Sequence, residues 1–225
     1  MKELYESSPQ SVGFKNGLAI SYEKLGDTYT SLGDLGKALT YYEDEMALSK
    51  ELYESSPQSV GFKNGLAISY SKLGNTYKSL GDLEKTLTYY EKDLQLTKEL
   101  YESSLQSVDF KNGLAISYEK LGDTYTSLGD LGKALTYFED YSGLKKELHE
   151  TSPQNVDFKN GLAISYYKLA VFSRDSKDDK GSATDYFHKA KEIWLQLANE
   201  FPKYVEFSKN LKQVEKDLEA LSASS

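Results

Sequence analysis

The sequence contains no cysteine, only four prolines, two histidines and a single tryptophan, and it has no long apolar run. Without cysteine there is no disulfide, no thiolate zinc site and no cysteine nucleophile, although the redox compartment stays undecided. The apolar stretches fall far short of the roughly 18 residues that mark a membrane-spanning helix. The first residues, Met1-Lys-Glu-Leu-Tyr-Glu, lack the apolar segment of a signal peptide. Basic charge is also in deficit. A net charge of −8 and a pI near 5.0 argue against a nucleic-acid partner, which needs a concentrated basic surface. The expectation is a cytoplasmic protein that engages neither nucleic acid nor membrane.

What the chain has is repetition. The stretch from Asn16 to Glu43 returns from Asn64 to Glu91 and from Asn112 to Glu139, with a worn copy from Asn160, and Lys2, Lys50, Lys98 and Lys146 stand 48 residues apart. A fixed period of this length signals stacked supersecondary units, each unable to bury its apolar face without a neighbour. The chain also opens on the tail of a repeat, since Met1-Lys-Glu-Leu-Tyr-Glu matches Lys50-Glu-Leu-Tyr-Glu, so it is expected to start inside a helix cut from a longer array.

Within a repeat, Ser8-Pro9 reads as a helix start, with Ser8 as N-cap and Pro9 in the first helical position. Val12, Leu18, Tyr22, Leu25, Tyr29 and Leu32 then follow the spacing of one helical face. Gly33-Asp34 ends that helix and caps the next. Leu35, Ala38, Leu39, Tyr42, Met46, Leu48 and Leu52 carry the second face to about Tyr53. Gly17, Gly65, Gly113 and Gly161 fall inside the first helix. A mid-helix glycine costs about 1 kcal/mol against alanine, so either a close helix approach or a helix that starts only at Leu18 is implied. In the fourth repeat the tight turn lengthens to 175–181, and a second helix runs from about Ser182 to Glu200. A last helix places Phe207, Leu211, Val214, Leu218 and Leu221 on one side, with Lys209, Lys212, Glu215, Lys216, Asp217 and Glu219 over the rest.

Tyr22-x-x-Leu25-Gly26-x-x-Tyr29, then Gly33-Asp34, then Ala38-x-x-x-Tyr42, resembles the tetratricopeptide repeat. The pattern returns at Tyr70, Leu73, Gly74, Tyr77, Thr86 and Tyr90, and at Tyr118, Leu121, Gly122, Tyr125, Ala134 and Phe138. The period exceeds the family's usual 34 and the terminal proline is missing, which resembles the long-repeat bacterial arrays attached to signalling proteins or caspase-like proteases. The resemblance implies an all-α, right-handed superhelical solenoid of antiparallel helix hairpins with a C-terminal capping helix. One solenoid over 1–225 is expected, with repeats about 8–55, 56–103, 104–151 and 152–201, a cap about 203–222, and 1–7 left from a preceding helix. It implies a non-catalytic scaffold that binds a peptide or helix of a partner protein in the concave groove. An architectural or oligomerisation spacer, or a regulatory segment of a larger signalling or protease protein, are the alternatives.

No catalytic, metal or cofactor site is legible. Gly33-x-x-Gly36-Lys37 has the wrong spacing for a phosphate loop and no strand before it. His149 and His188 lack partners at ligand spacing, and His149 stands where Tyr5, Tyr53 and Tyr101 stand, as an aromatic substitute. Asp44-Glu45 and Asp178-Asp179 read as solvated surface, with no hydrophobic pocket evident. One stripe of the first helix does vary. The first two repeats agree at about four positions in five, yet on this helix they differ at Glu23/Ser71, Asp27/Asn75 and Thr30/Lys78. The later repeats carry Glu119, Asp123 and Thr126, then Tyr167, Val171 and Arg174.

Offsets of 4 and 7 put these positions on one stripe, which the family resemblance places in the binding groove; ordinary drift of a solvent-facing stripe gives the same pattern. Lys24, Lys72, Lys120 and Lys168 flank it. The family's Lys/Asn/Arg clamp for a chaperone's terminal carboxylate is not supported, because Asp27 and Asp123 hold acids where Asn75 stands in the second repeat. Tyr167 is the expected aromatic anchor, and the N-terminal end is expected to self-associate end to end.

Overall fold

A computed structural model describes residues 2–223. Ten helices follow one another: α1 Lys2–Ser7, α2 Val12–Ser31, α3 Leu35–Ser55, α4 Val60–Leu80, α5 Leu83–Ser103, α6 Val108–Leu128, α7 Leu131–Thr151, α8 Val156–Lys177, α9 Lys180–Glu200 and α10 Val205–Ala223. There is no strand among the described residues. The helices pack as successive hairpins. The chain divides into two compact units within α6, one ending at Ser117 and the other beginning at Tyr118. In the first, α2 pairs with α3, α4 with α5, and α4 also packs on α3. In the second, α8 pairs with α9, α8 packs on α7, and α10 packs on α9.

The prolines do not start the helices. The Ser11 N–H donates to the Ser8 carbonyl at 2.9 Å, closing a turn with Pro9 in its second position, and the same bond recurs at Ser59–Ser56, Ser107–Ser104 and Asn155–Ser152. Proline suits that position because its fixed φ matches the turn. The caps come three residues later than Ser8 suggested. The Ser11 hydroxyl accepts from Phe14 N–H, Ser59 from Phe62 and Ser107 from Phe110 at 3.3–3.4 Å, and Asn155 accepts from Asp157 and Phe158. The inner turn is as expected. Gly33, Gly81 and Gly129 adopt φ of 78–81°, which favours glycine. Asp34, Asp82 and Asp130 then cap the second helices by accepting from Lys37, Lys85 and Lys133 N–H. The fourth turn is not lengthened as expected: α8 runs on to Lys177, Asp178 takes the left-handed conformation and Asp179 caps α9, which therefore begins at Lys180 rather than Ser182.

The first three hairpins each close through one glycine, where the fourth has the fully buried Ala170. A Cβ on Gly26 would lie 2.4 Å from the Tyr42 ring, one on Gly74 2.4 Å from Tyr90, and one on Gly122 2.7 Å from Phe138. These rings are buried, with Tyr90 only 1% exposed. Next to them Ala38 and Ala134 are fully buried, and Thr86 replaces alanine without an orphaned hydroxyl because it donates to the Asp82 carbonyl at 2.7 Å. The other glycine series behaves differently. Gly65 and Gly113 lie well inside their helices, and a methyl group added to either would meet no atom within 4 Å. No close approach occurs at these two, whereas a Cβ on Gly161 would lie 3.3 Å from the Lys145 side chain, and the helices start before Leu18 and its counterparts.

Gly74→Ala should therefore destabilise by about 1–3 kcal/mol through overpacking. Gly65→Ala should stabilise by about 0.5–1 kcal/mol through helix propensity. Urea denaturation of the two variants beside the parent checks the opposite signs.

Candidate functional site

The variable stripe is occupied from within. In the first unit, Lys72 of α4 pairs with Asp27 and lies 3.6 Å from Glu23, both on α2. Tyr42 of α3 donates to Asp27 at 2.6 Å and exchanges a hydrogen bond with Thr30 at 3.3 Å. Burial raises the Asp27 carboxyl, but the bonds from Lys72 and Tyr42 prevail and hold it below its ordinary value; the Tyr42 phenol is pushed up to about 12, by burial first and by Asp27 second. Asn75 replaces the acid in the next repeat and still accepts from Tyr90 at 2.7 Å. Lys78 and Asn75 are exposed, and Ser71 is half-buried.

In the second unit Lys168 of α8 sits 3.0 Å from both Glu119 and Asp123 of α6. Burial opposes its charge, yet the two acids hold its ammonium above the usual lysine value. The basic row is thus no passive flank: Lys72 and Lys168 each reach back to the acids of the preceding first helix. Thr126 turns inward to the Gly122 carbonyl at 2.8 Å.

The fourth repeat departs most from its expected role. Tyr167 donates to Asp217 of α10 at 2.8 Å, and Arg174 donates to the other oxygen of the same carboxylate at 2.7 Å. Tyr167 also meets the Phe187 and Trp194 rings at 5.5 and 5.6 Å, and Val171 packs into the same cluster. Burial pushes the Tyr167 phenol up to about 12, with Asp217 adding to it. The expected anchor therefore faces α10. Asp217, expected on the charged outer side, is buried because it is the acceptor that these two donors share.

Sequence reasoning also missed the acids between hairpins. Glu45 was expected in solvent and is only 6% exposed. It lies where α3 meets α4, and its Oε1 accepts from Ser49 at 2.6 Å and Ser69 at 2.7 Å, while Oε2 has no partner among the described residues. Asp93 of α5 repeats the arrangement one period on, accepting from Ser117 at 2.9 Å. The signal was the serine at 21, 69, 117 and 165, which returns with the period beside the apolar face. His149 stands in the tyrosine position, with its Nδ1 buried and unpartnered among the described residues. No cluster of three metal-binding side chains occurs among the described residues, and no described helix is long and apolar enough to cross a membrane.

Two family models of the tetratricopeptide repeat match residues 65–147 and 21–52. The chain belongs to the tetratricopeptide repeat family. Such repeats generally mediate protein–protein interaction, and their fold is typically a non-catalytic scaffold. Among solved structures, the crystal structure of BtubC (BKLC) from P. vanneervenii is similar over 99% of this chain and 85% of that one, at 18% identity and a TM-score of 0.61, a likeness of fold. The crystal structure of a putative kinesin light chain from Podosopora anserina, with nearly identical TPR-like repeats, is similar over 90% of this chain and 97% of that one, at 14% identity and a TM-score of 0.48. No curated protein matches the sequence.

Burial is the largest influence on Glu45 and raises its pKa. A carboxyl raised on folding contributes stability that is complete below the unfolded carboxylate range and is lost as pH rises through the folded value. Glu45→Gln keeps an acceptor for the two serines without the buried charge. It should raise Tm by a few degrees at pH 7–8, with the gain shrinking toward pH 4; calorimetric melts across that range are the check.

Proposed function

We propose that the chain is a non-catalytic scaffold that holds a peptide or helix of a partner protein on the face its first helices share. The observation that carries this reading is a row of isoleucines. Ile20, Ile68 and Ile116 keep 44%, 42% and 37% of their surface in water at one register of successive first helices. Each lies three residues before Glu23, Ser71 or Glu119, on the same stripe. Single exposed apolar residues are ordinary, whereas large contiguous apolar patches mark contact surfaces.

In the first unit the row is bordered by Glu23, Asp27 and Thr30 on α2 and by Ser71, Asn75 and Lys78 on α4, and these form the proposed seat. Lys72 already offsets the acids there, so the partner's affinity rests on apolar side chains between the isoleucines, and rim charges such as Lys78 set association rate and salt dependence. In the second unit Glu119, Asp123 and Thr126 remain stripe residues in the proposal. Tyr167, Val171 and Arg174 leave it as partner contacts, because α10 engages them. The fourth repeat also supports the choice of a helical ligand. There Ile164 and Val171 pack into the cluster that contains Phe207, Val214 and Leu221 of α10.

The lysine–acid bridges favour a second reading, an architectural spacer, because they tie hairpins together whether or not anything binds. Peptides selected by phage display on the immobilised chain separate the two. Selected peptides should bind the Ile20→Asp/Ile68→Asp variant at least tenfold more weakly, a loss of about 1–2 kcal/mol or more, while its circular dichroism stays unchanged. Failure to enrich any peptide, or equal affinity for the variant, would favour the spacer.

A further inference from the structure

Where the third hairpin meets the fourth, a lysine fills the space beside a helix glycine. The Lys145 side chain of α7 runs past Gly161 of α8, with its Nζ 3.6 Å from the place a Cβ would take. Its ammonium stands over the Tyr141 ring at 5.6 Å. Burial pulls the Lys145 amine below the usual lysine value, and the Glu119 carboxylate of α6 acts against it. Gly65 of α4 holds the same register two periods earlier, between the first and second hairpins. There Ser49 of α3 stands in the place of Lys145, and a Cβ on Gly65 would meet nothing within 4 Å. Gly65 is half-buried and lies three residues before the exposed Ile68, so this notch opens on the isoleucine face.

The surroundings of the empty notch are acidic. Glu23 of α2 is the counterpart of Glu119, and Glu45 of α3 takes the place of Tyr141. Glu45 is 6% exposed, and its Oε2 has no partner among the described residues. Its carboxylate adjoins Gly65, because the Ser69 hydroxyl lies 2.7 Å from Glu45 Oε1 and 2.9 Å from the Gly65 carbonyl. Glu23 acts on Glu45 as a like charge. Between the third and fourth hairpins, Lys145 and Lys168 face Glu119 and Asp123. Between the first and second, Lys72 faces Glu23, Asp27 and Glu45. A buried carboxylate oxygen without a donor is costly, and a counter-charge beside it removes that cost. The second and third hairpins lack this acid pair, since Ser71 takes the place of Glu23.

We propose that the notch at Gly65 is a pocket for a lysine side chain of the partner segment, its stem against Gly65 and its ammonium donating to Glu45 Oε2 and facing Glu23. The inference rests on the scaffold reading above and gives its partner a chemistry, a lysine flanked by apolar residues that meet the isoleucines. Lys145 beside Gly161 is the filled form of the same notch within this chain. A lysine suits it because the ammonium is a compact charge on a slender, flexible stem. A mid-helix glycine weakens a helix, and keeping this notch open is the role that the pocket gives to Gly65.

The first probe is N-acetyl-lysine methylamide, titrated into the isotope-labelled full chain and followed by NMR. The Gly65 and Ser69 amides should shift saturably. The norleucine analogue, which has the stem without the ammonium, and sodium chloride at equal concentration should leave both amides in place. Glu45→Gln, which should fold at least as stably as the parent, should weaken amine binding at least tenfold, the loss of one charge-assisted bond. Ser49→Lys, which supplies the notch with the chain's own lysine, should abolish it. No shift up to the solubility limit of the amine, equal shifts with norleucine or sodium chloride, or equal binding by either variant would overturn the proposal. Peptides selected on the immobilised chain give the second arm. Replacing their lysine by norleucine should weaken binding to the parent at least tenfold and to Glu45→Gln far less. Peptides that need Ile20 and Ile68 yet bind equally with norleucine would overturn the pocket and leave the scaffold standing. A saturable amine with no peptide enriched would support the pocket and count against the scaffold.

Discussion

One helix of a hairpin cannot be buried on both sides by its own partner, and most of this structure follows from that limit. A first helix spends one face on the second helix of its own hairpin, through Gly26 against Tyr42 or Gly74 against Tyr90. Its other face waits for the second helix of the preceding hairpin. Where that helix is present, Leu73 is fully buried; where only the six residues of α1 stand in for it, Leu25 is open. Burying a leucine side chain is worth about 1.5–3 kcal/mol, so each added hairpin stabilises the one after it. Stability in such an array is a sum of hairpin terms and nearest-neighbour interface terms.

The polar groups follow the same seam. Apolar surface is non-directional and would let one helix slide along the next. Glu45 reaches serines on both its own helix and the following one, and Asp93 bonds a serine on the following helix, so a slipped register would cost each buried carboxylate its donor on that helix. That is a steep penalty for a charged group. The half-buried Lys72 and Lys168 bridges join first helices of successive hairpins. At the C-terminal end α10 completes the series in another way. It lies on α9 as α4 lies on α3, and the Asp217 carboxylate joins Tyr167 and Arg174 to it.

Whatever depended on neighbours close in sequence was legible beforehand. The period, the helical spacing of the tyrosines and leucines, the left-handed glycine at 33 and the aspartate cap at 34 are local facts, and the structure follows them. The error at Ser8-Pro9 was also local: a turn and a helix start ask for the same residues, and Ser11 could serve as the cap equally well. Less legible was the seam. Glu45 and Ser69 are 24 residues apart, and Tyr167 and Asp217 are 50 apart. No pattern within one helix distinguishes an acid facing water from one facing the next hairpin's serine. Acids of the variable stripe and Tyr167 bond within the molecule, while the isoleucines beside the first stripes stand in water. For Gly65 and Gly113 the packing supplies no reason.

The central claim is that a first helix is held chiefly by the hairpin before it. Amide hydrogen exchange on α2 and α4 tests this most directly, because the two helices share nearly all their residues and differ mainly in what precedes them. The account predicts that the Ser21–Tyr29 amides exchange much faster than those of Ser69–Tyr77, through local opening well below global unfolding. Equal protection in the two helices would mean that each hairpin stands on its own packing, and would contradict it.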